Sequence, residues 1–309
     1  MDADWLTVGV RLALYGVLGG LFGLSAFALY GLRTGERGEA LALRPWLVTG
    51  AALGLLLSGI ALALLAAAMM GTPPWPIDHD AVGMLLDQPG IGTAWKVRVA
   101  ALAVVTLAGL LALRRGPWLG MTALASGVAL ATLAWTGHGA AGEGATGWVH
   151  LAADILHVLA AGAWTGALLG LILLVTRPAP RVNAAHLALT HRALYGFGTV
   201  GTVVVTTLIV TGLINAWLLV GPGNVTALGT TLYGRLLVAK LALFAATLGL
   251  AALNRFRLTP RFEGSIAAAD HRGALGVLRR SLAVETACLV IILGLVAWLG
   301  TLEPPAAAM

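Results

Sequence analysis

Three ionisable side chains lie on one face of a long apolar segment of the chain. The segment begins Trp148-Val-His150-Leu-Ala-Ala-Asp154-Ile-Leu-His157. In an α-helix the spacing i, i+4, i+7 places His150, Asp154 and His157 within about 60° of one another around the axis. Imidazole nitrogens and a carboxylate at successive turns form a ligand set suited to a transition metal. The stripe therefore predicts a metal site, and Trp164 extends the same face.

The depth of His157 strengthens this prediction. At 1.5 Å per residue, His157 lies about 13 Å from the start of the segment, which is deep for a surface histidine. Ionisable groups inside an apolar span cost free energy, so such positions indicate function. His138, in the preceding sequence Thr136-Gly-His-Gly-Ala, is predicted to complete the site.

A second group of soft ligands surrounds an earlier loop. Met69, Met70, His79 and Met84 are close in sequence. Thioether and imidazole groups suit copper, particularly Cu(I). We therefore predict a metal-capture site formed by Met69, Met70 and His79, although methionine is also an ordinary core residue.

The same polar positions also allow a structural interpretation. Asp154 can be a counter-ion for Arg235 or Lys240, because a buried carboxylate needs a partner whether or not metal is present. Arg11 and Glu285 also lie within apolar spans, and the sequence does not identify their partners. A metal site and a structural or proton-relay role both remain open at this point.

The elements that must position these residues are membrane spans. Of the 309 residues, 59% are hydrophobic and only 10% are charged, whereas about 25% are charged in a soluble domain. This excludes a water-soluble globule, a disordered chain and a disulfide scaffold. We predict one all-α domain over residues 1–309, a polytopic membrane helical bundle with eight transmembrane helices at about 5–32, 45–71, 94–113, 118–136, 148–176, 193–220, 231–254 and 277–302.

The arginines orient this bundle. One set of alternate loops holds 14 of the 19 Lys and Arg residues: Arg33, Arg37, Arg44, Arg114, Arg115, Arg177, Arg181, Arg192, Arg255, Arg257, Arg261, Arg272, Arg279 and Arg280. The positive-inside rule puts that side in the cytoplasm and both termini in the periplasm. The net charge of +6 thus reflects orientation in a lipid bilayer, and no nucleic-acid partner is predicted.

Glycines at GxxxG spacing predict close helix packing in the membrane. The pairs are Gly16/Gly20, Gly19/Gly23 and Gly50/Gly54, with a triplet at Gly162/Gly166/Gly170. The chain contains no Walker loop, dinucleotide fingerprint, HExxH, CxxC or Gly-x-Ser-x-Gly motif. We therefore expect no ATP-driven transport within this chain. Among the remaining function classes, a transporter is favoured over an enzyme.

Several segments in the second half of the chain resemble the copper resistance protein D family. The segments are His157-Val-Leu-Ala-Ala-Gly-Ala-Trp164-Thr-Gly166, Thr211-Gly-Leu-Ile-Asn215-Ala, Gly229-Thr-Thr-Leu-Tyr233-Gly-Arg235-Leu-Leu-Val-Ala-Lys240 and Asn254-Arg-Phe-Arg-Leu-Thr-Pro260. Together they lie within residues 150–260, and the first third of the chain is similar only in its pattern of spans.

The resemblance implies a multi-pass protein of the bacterial inner membrane that moves copper from periplasm to cytoplasm. It marks six family-pattern positions, His157, Trp164, Asn215, Tyr233, Arg235 and Lys240, with His138 in a fitting Gly-His-Gly context. Some relatives carry an additional periplasmic copper-binding domain. This chain shows none, so a periplasmic copper-binding donor protein is the expected partner.

Two other functions stay open. A membrane electron-transfer protein or cupric reductase would hold haem b through histidines on different helices, yet only His157 is deep. A non-catalytic membrane partner of a periplasmic copper protein would leave the polar stripe with a structural role only.

Overall fold

The chain forms a bundle of membrane-spanning helices. The computed structural model describes residues 4–111, 116–137, 144–267 and 271–308. Within those ranges, eight helices are long and apolar enough to cross a membrane, and there is no β-strand. The predicted all-α membrane bundle is therefore confirmed. The helices are α1 Trp5–Gly31, α2 Leu43–Met70, α3 Ile91–Leu111, α4 Gly116–Ala131, α5 Gly144–Val175, α6 Ala184–Val220, α7 Leu232–Leu253 and α8 His271–Leu299.

The two ends of the bundle differ in charge. We call the end at which α1, α3, α5 and α7 begin the acidic end, since Asp4, Asp78, Asp80 and Asp87 lie there, and the opposite end the basic end. A short helix, His79–Asp87, lies at the acidic end. Its residues Ala81 and Leu85 pack with apolar residues of α2 and α3.

Two helices continue beyond the spans that hydropathy predicts. Helix α6 begins at Ala184 rather than at 193, because the side chain of Asn183 accepts a hydrogen bond of 2.9 Å from the backbone nitrogen of His186 and caps the first turn. Helix α7 is prolonged by a π-helix, Asn254–Leu258, and by the helix Thr259–Ala267. Hydropathy locates the bilayer, whereas helical hydrogen bonding continues into the basic end.

Arginines at the basic end satisfy the carbonyl groups that helix ends leave unpaired. Arg37 donates to the carbonyl oxygens of Ala28 at 2.9 Å and Leu29 at 3.0 Å near the end of α1. Arg44 donates to Leu110 near the end of α3, and Arg279 donates to Val175, the last residue of α5. Each of these helices therefore ends, at its negative dipole pole, against a guanidinium group.

The closest approach in the bundle joins α1 to α5 through glycine. A methyl group added at Gly23 would collide with the carbonyl oxygen of Gly162 and lie 2.7 Å from the Cα of Gly166. One added at Gly19 would lie 3.5 Å from the Cα of Gly162. The predicted packing role is confirmed for these four residues. It is wrong for Gly16, where an added methyl group meets no described atom within 4 Å.

We expect Gly166→Ala to destabilise the protein strongly, because the new methyl group would overlap the backbone of Gly23 and Leu24 and force α1 and α5 apart. Overpacking typically costs about 1–3 kcal/mol, and a clash with backbone belongs at the upper end. Thermal unfolding of the purified protein in detergent measures the effect. Gly16→Ala is the matched control on α1 and should leave the unfolding temperature nearly unchanged; equal losses in both variants would contradict the assignment.

Candidate functional site

The polar stripe of α5 faces α6. The Nδ2 atom of Asn215 lies 3.4 Å from Oδ1 of Asp154, and Nδ1 of His157 lies 2.9 Å from the hydroxyl of Thr211. The two contacts are one turn apart on each helix, as antiparallel neighbours require. The imidazole also lies near Gly212 of α6, where an added methyl group would be 3.5 Å from Cε1 of His157, an ordinary van der Waals distance.

The hydrogen bonds fix which nitrogen of His157 is available. The hydroxyl of Thr211 donates its only hydrogen to the carbonyl oxygen of Thr207, at 2.6 Å. It can therefore only accept from His157, so the hydrogen of the neutral imidazole is on Nδ1. The lone pair is then on Nε2, the arrangement found in metal-ligating histidines whose other nitrogen donates to a fixed partner.

Asp154 lies close to two other parts of the chain. Besides Asn215, the backbone at Gly137 is close, because a methyl group added there would lie 3.7 Å from Oδ2 of Asp154. The side-chain Oδ1 of Asn215 is buried and accepts no hydrogen bond from the described residues. The vicinity therefore contains a carboxylate and an amide oxygen with unused acceptor capacity.

Two cations act on this carboxylate. Lys240 of α7 and Arg11 of α1 both interact electrostatically with Asp154, and Lys240 also interacts with His157. Arg235 is exposed and donates to the carbonyl oxygen of Gly229 at 3.1 Å. Of the two counter-ions considered for Asp154, the structure therefore supports Lys240 and adds Arg11.

The remaining predicted ligands differ in exposure. His150 is buried on α5, while His79, Met69 and Met70 are exposed at the acidic end. His138 lies outside the described residues. In the part of the chain that the structure describes, no three His, Cys, Asp or Glu side chains lie close enough to hold a metal ion together. His150, Asp154 and His157 therefore do not form a three-ligand site by themselves, and the four-residue site with His138 stays a prediction.

A second polar layer lies deeper in the bundle. Glu285 of α8, only 1% exposed, accepts hydrogen bonds from the indole of Trp164 at 3.0 Å and from Nδ2 of Asn254 at 2.8 Å. The Trp164 ring also packs edge-on against Phe244 of α7, with centroids 6.1 Å apart. Trp164 is thus a link between α5, α7 and α8, and Glu285 pairs with neutral donors and makes no described contact with Arg11.

Tyr233, another family-pattern position, is 6% exposed near the start of α7. It packs with Val220, Leu236, Leu237 and Leu299 and interacts electrostatically with Asp154.

Two histidines with described side chains at the basic end, His186 and His191, have local partners. His186 lies 3.0 Å from the carbonyl oxygen of Leu174, and His191 lies 3.6 Å from Glu263.

Sequence reasoning missed two residues. Thr211, which orients His157, was visible only as part of a family-like segment, since threonine in an apolar helix is common. Arg98 is 2% exposed and donates from Nε to the hydroxyl of Thr132 at 2.8 Å. Hydropathy placed it near the end of a predicted span, where a charge is unremarkable, and no periodicity pointed to its burial.

Comparisons with known proteins cover nearly the whole chain. The family described as "Copper resistance protein D-like, N-terminal domain" matches residues 1–148, and the family described as "Copper resistance protein D" matches residues 191–299. The chain is 27% identical over 255 residues to the "Inner membrane protein YebZ" of Escherichia coli (strain K12), covering 82% of this chain and 83% of that protein. No solved structure shows a significant match.

A second curated relative is the "Copper resistance protein D" of Pseudomonas syringae pv. tomato, which is 43% identical over 305 residues. The matched region covers 97% of this chain and 97% of that protein. With that identity along both whole chains, and with matching family descriptions in both halves, this protein belongs to the copper resistance protein D family.

Proposed function

We propose that this protein moves copper across the bacterial inner membrane, from periplasm to cytoplasm. The observation that carries the proposal is the contact of His157 with Thr211, in which Nδ1 donates to the hydroxyl and the lone pair is left on Nε2, one turn of α5 from Asp154. An imidazole nitrogen and a carboxylate oxygen are ligands for copper. Copper is inferred from the names of the relatives, and the position of the site is inferred from the side chains.

The nearby cations explain how such a site releases its ion. Lys240 balances Asp154 when no metal is present, and its positive charge opposes a copper ion beside His157. Binding is then weak enough for an ion to leave as well as enter, as conduction requires. A site of this kind passes copper on and does not store it.

The proposed route begins at the acidic end, which the arginine distribution assigns to the periplasm. Met69 and Met70 are 56% and 50% exposed, so their thioethers are open to a periplasmic donor protein. From there copper passes His79 and reaches the stripe of α5. There it exchanges between weak sites formed by His138, His150 and His157, with Asp154 as a ligand or as charge balance. The supporting residues are Asn215, Tyr233, Arg235, Lys240 and Trp164.

Substituting His157 tests the proposal directly. We expect His157→Ala to bind less copper per purified protein than the wild type, because the deepest nitrogen ligand is lost. Copper content after dialysis against a fixed free-ion concentration measures this. His191→Ala, at the basic end beside Glu263, is the matched histidine control and should retain wild-type copper. Wild-type content in His157→Ala would remove His157 from the site, and a Soret band in the purified protein would favour the haem alternative.

The orientation of His157 gives a second prediction. Thr211→Val removes the acceptor for Nδ1 without changing the side-chain shape, so copper affinity should fall by about 10–100-fold, as for other partners of metal-bound histidines. Thr207→Val is the control, since its backbone carbonyl still accepts from Thr211. A competition titration with a chromogenic chelator compares the variants. Equal affinities in the two would show that this hydrogen bond does not tune a ligand.

The charge balance at Asp154 gives a third prediction. Asp154→Ala should lower the free energy of unfolding by about 2 kcal/mol, because Lys240 is left without its anion. This is less than the cost of breaking a buried ion pair in direct contact. Adding Lys240→Ala should restore part of the loss. Thermal unfolding of both variants in detergent measures the coupling; strictly additive losses would mean that the two groups do not balance each other.

A further inference from the structure

A small recess opens in the acidic half of the bundle, away from the α5 stripe. Its volume is about 120 Å³, and it lies between α1, α2, α3 and the 3₁₀ turn Thr132–Thr136 that follows α4. Polar groups in its wall come from Thr7, Arg11, Tyr15, Ser58, Arg98 and Thr136. Arg11 is about 9 Å below the start of α1, and Arg98 is about 10 Å below the start of α3. The recess thus lies within the membrane-spanning region.

Arg98 is a buried cation with spare donors. Its Nε and Nη2 atoms donate to the hydroxyl and carbonyl oxygen of Thr132, at 2.8 and 3.2 Å. These bonds leave Nη1 and one hydrogen of Nη2 unused, because a guanidinium group carries five N–H donors. Among the described residues, no carboxylate lies within ion-pair distance of Arg98. The side chain of Tyr15 interacts electrostatically with Arg98.

The hydrogen-bonding capacity of Arg11 is used even less than that of Arg98. Its Nε is buried and has no hydrogen-bond partner in the part of the chain that the structure covers. Its guanidinium group packs against the backbone of Gly300, where an added methyl group would lie 2.9 Å from Cζ. Asp154 influences Arg11 from a distance but makes no described ion pair with it. The guanidinium group therefore retains capacity for an anion.

Arg11 and Arg98 both line this recess, and a cation that loses its hydration inside a membrane is unfavourable without an anion. We propose that the recess binds a small oxyanion, a phosphate or carboxylate group, between Arg11 and Arg98. Guanidinium forks match the paired oxygens of these groups. The recess is well below the roughly 300–1,000 Å³ of sites for larger organic ligands. The site goes beyond copper transport and uses none of the proposed copper ligands, although Arg11 also interacts electrostatically with Asp154.

Binding of free anions is the first test. Protein purified without phosphate is titrated calorimetrically with inorganic phosphate and with acetate, in detergent and without copper. We expect saturable binding to the wild type, at least tenfold weaker binding to Arg11→Gln, and intermediate binding to Arg11→Lys, which keeps the charge but loses the fork. Lys96→Gln is the matched control, because this exposed cation lies on α3 near Arg98 but does not line the recess.

A lipid headgroup is the other source of the same chemistry. Native mass spectrometry after incubation with phosphatidylglycerol or phosphatidylethanolamine distinguishes it from free phosphate. Retention of phosphatidylglycerol by the wild type and Lys96→Gln, with loss in Arg11→Gln, would assign the site to a headgroup. Tyr15→Phe, which removes one wall hydroxyl, should weaken binding of whichever anion is retained. If phosphate, acetate and phosphatidylglycerol all fail to bind, or bind equally to Arg11→Gln, the proposal is overturned.

Discussion

The backbone contact between α1 and α5 is the constraint on which the site depends. Gly19 and Gly23 of α1 meet Gly162 and Gly166 of α5 with no side chain between them. In a bilayer, where apolar burial drives association weakly, such close packing holds helices together. The contact also brings Arg11 on α1 and Asp154 on α5 within electrostatic reach. The polar stripe proposed to bind copper and the recess lined by Arg11 and Arg98 therefore share a single structural support.

Charge in this membrane bundle is sorted into layers. Near the acidic end, Asp154 is balanced by Lys240 and Arg11, and deeper in the bundle Glu285 relies on the neutral donors Trp164 and Asn254. At the basic end, arginines bond to helix carbonyl groups. Each layer follows from the cost of isolated charge in low dielectric. The layers differ in their partners: in the first the carboxylate interacts electrostatically with cations, whereas in the second it is closed by hydrogen bonds from neutral donors.

The sequence was sufficient for the spans, for the stripe of α5 and for the glycines of the α1–α5 contact, because hydropathy and helical periodicity depend on one helix at a time. It did not identify Thr211 as the partner of His157 or Arg98 as a buried cation, since periodicity gives a direction around an axis but not the neighbour in that direction. The pairing of Asp154 with Asn215 illustrates the missing information. Once that single contact sets the register of two antiparallel helices, His157 must meet the turn that contains Thr211.

The π-turn Asn254–Leu258 divides α7 and its extension into two parts that are rotated relative to each other. A π-turn contains one residue more than an α-turn, so everything after Leu258 is rotated by about 100° relative to a regular helix. Phe262, which follows the turn, is completely buried, and Asn254, at its start, donates to Glu285. A one-residue insertion is the simplest evolutionary origin of such a turn. Side chains of the extension at the basic end therefore point in directions set independently of those in the intramembrane half of the helix.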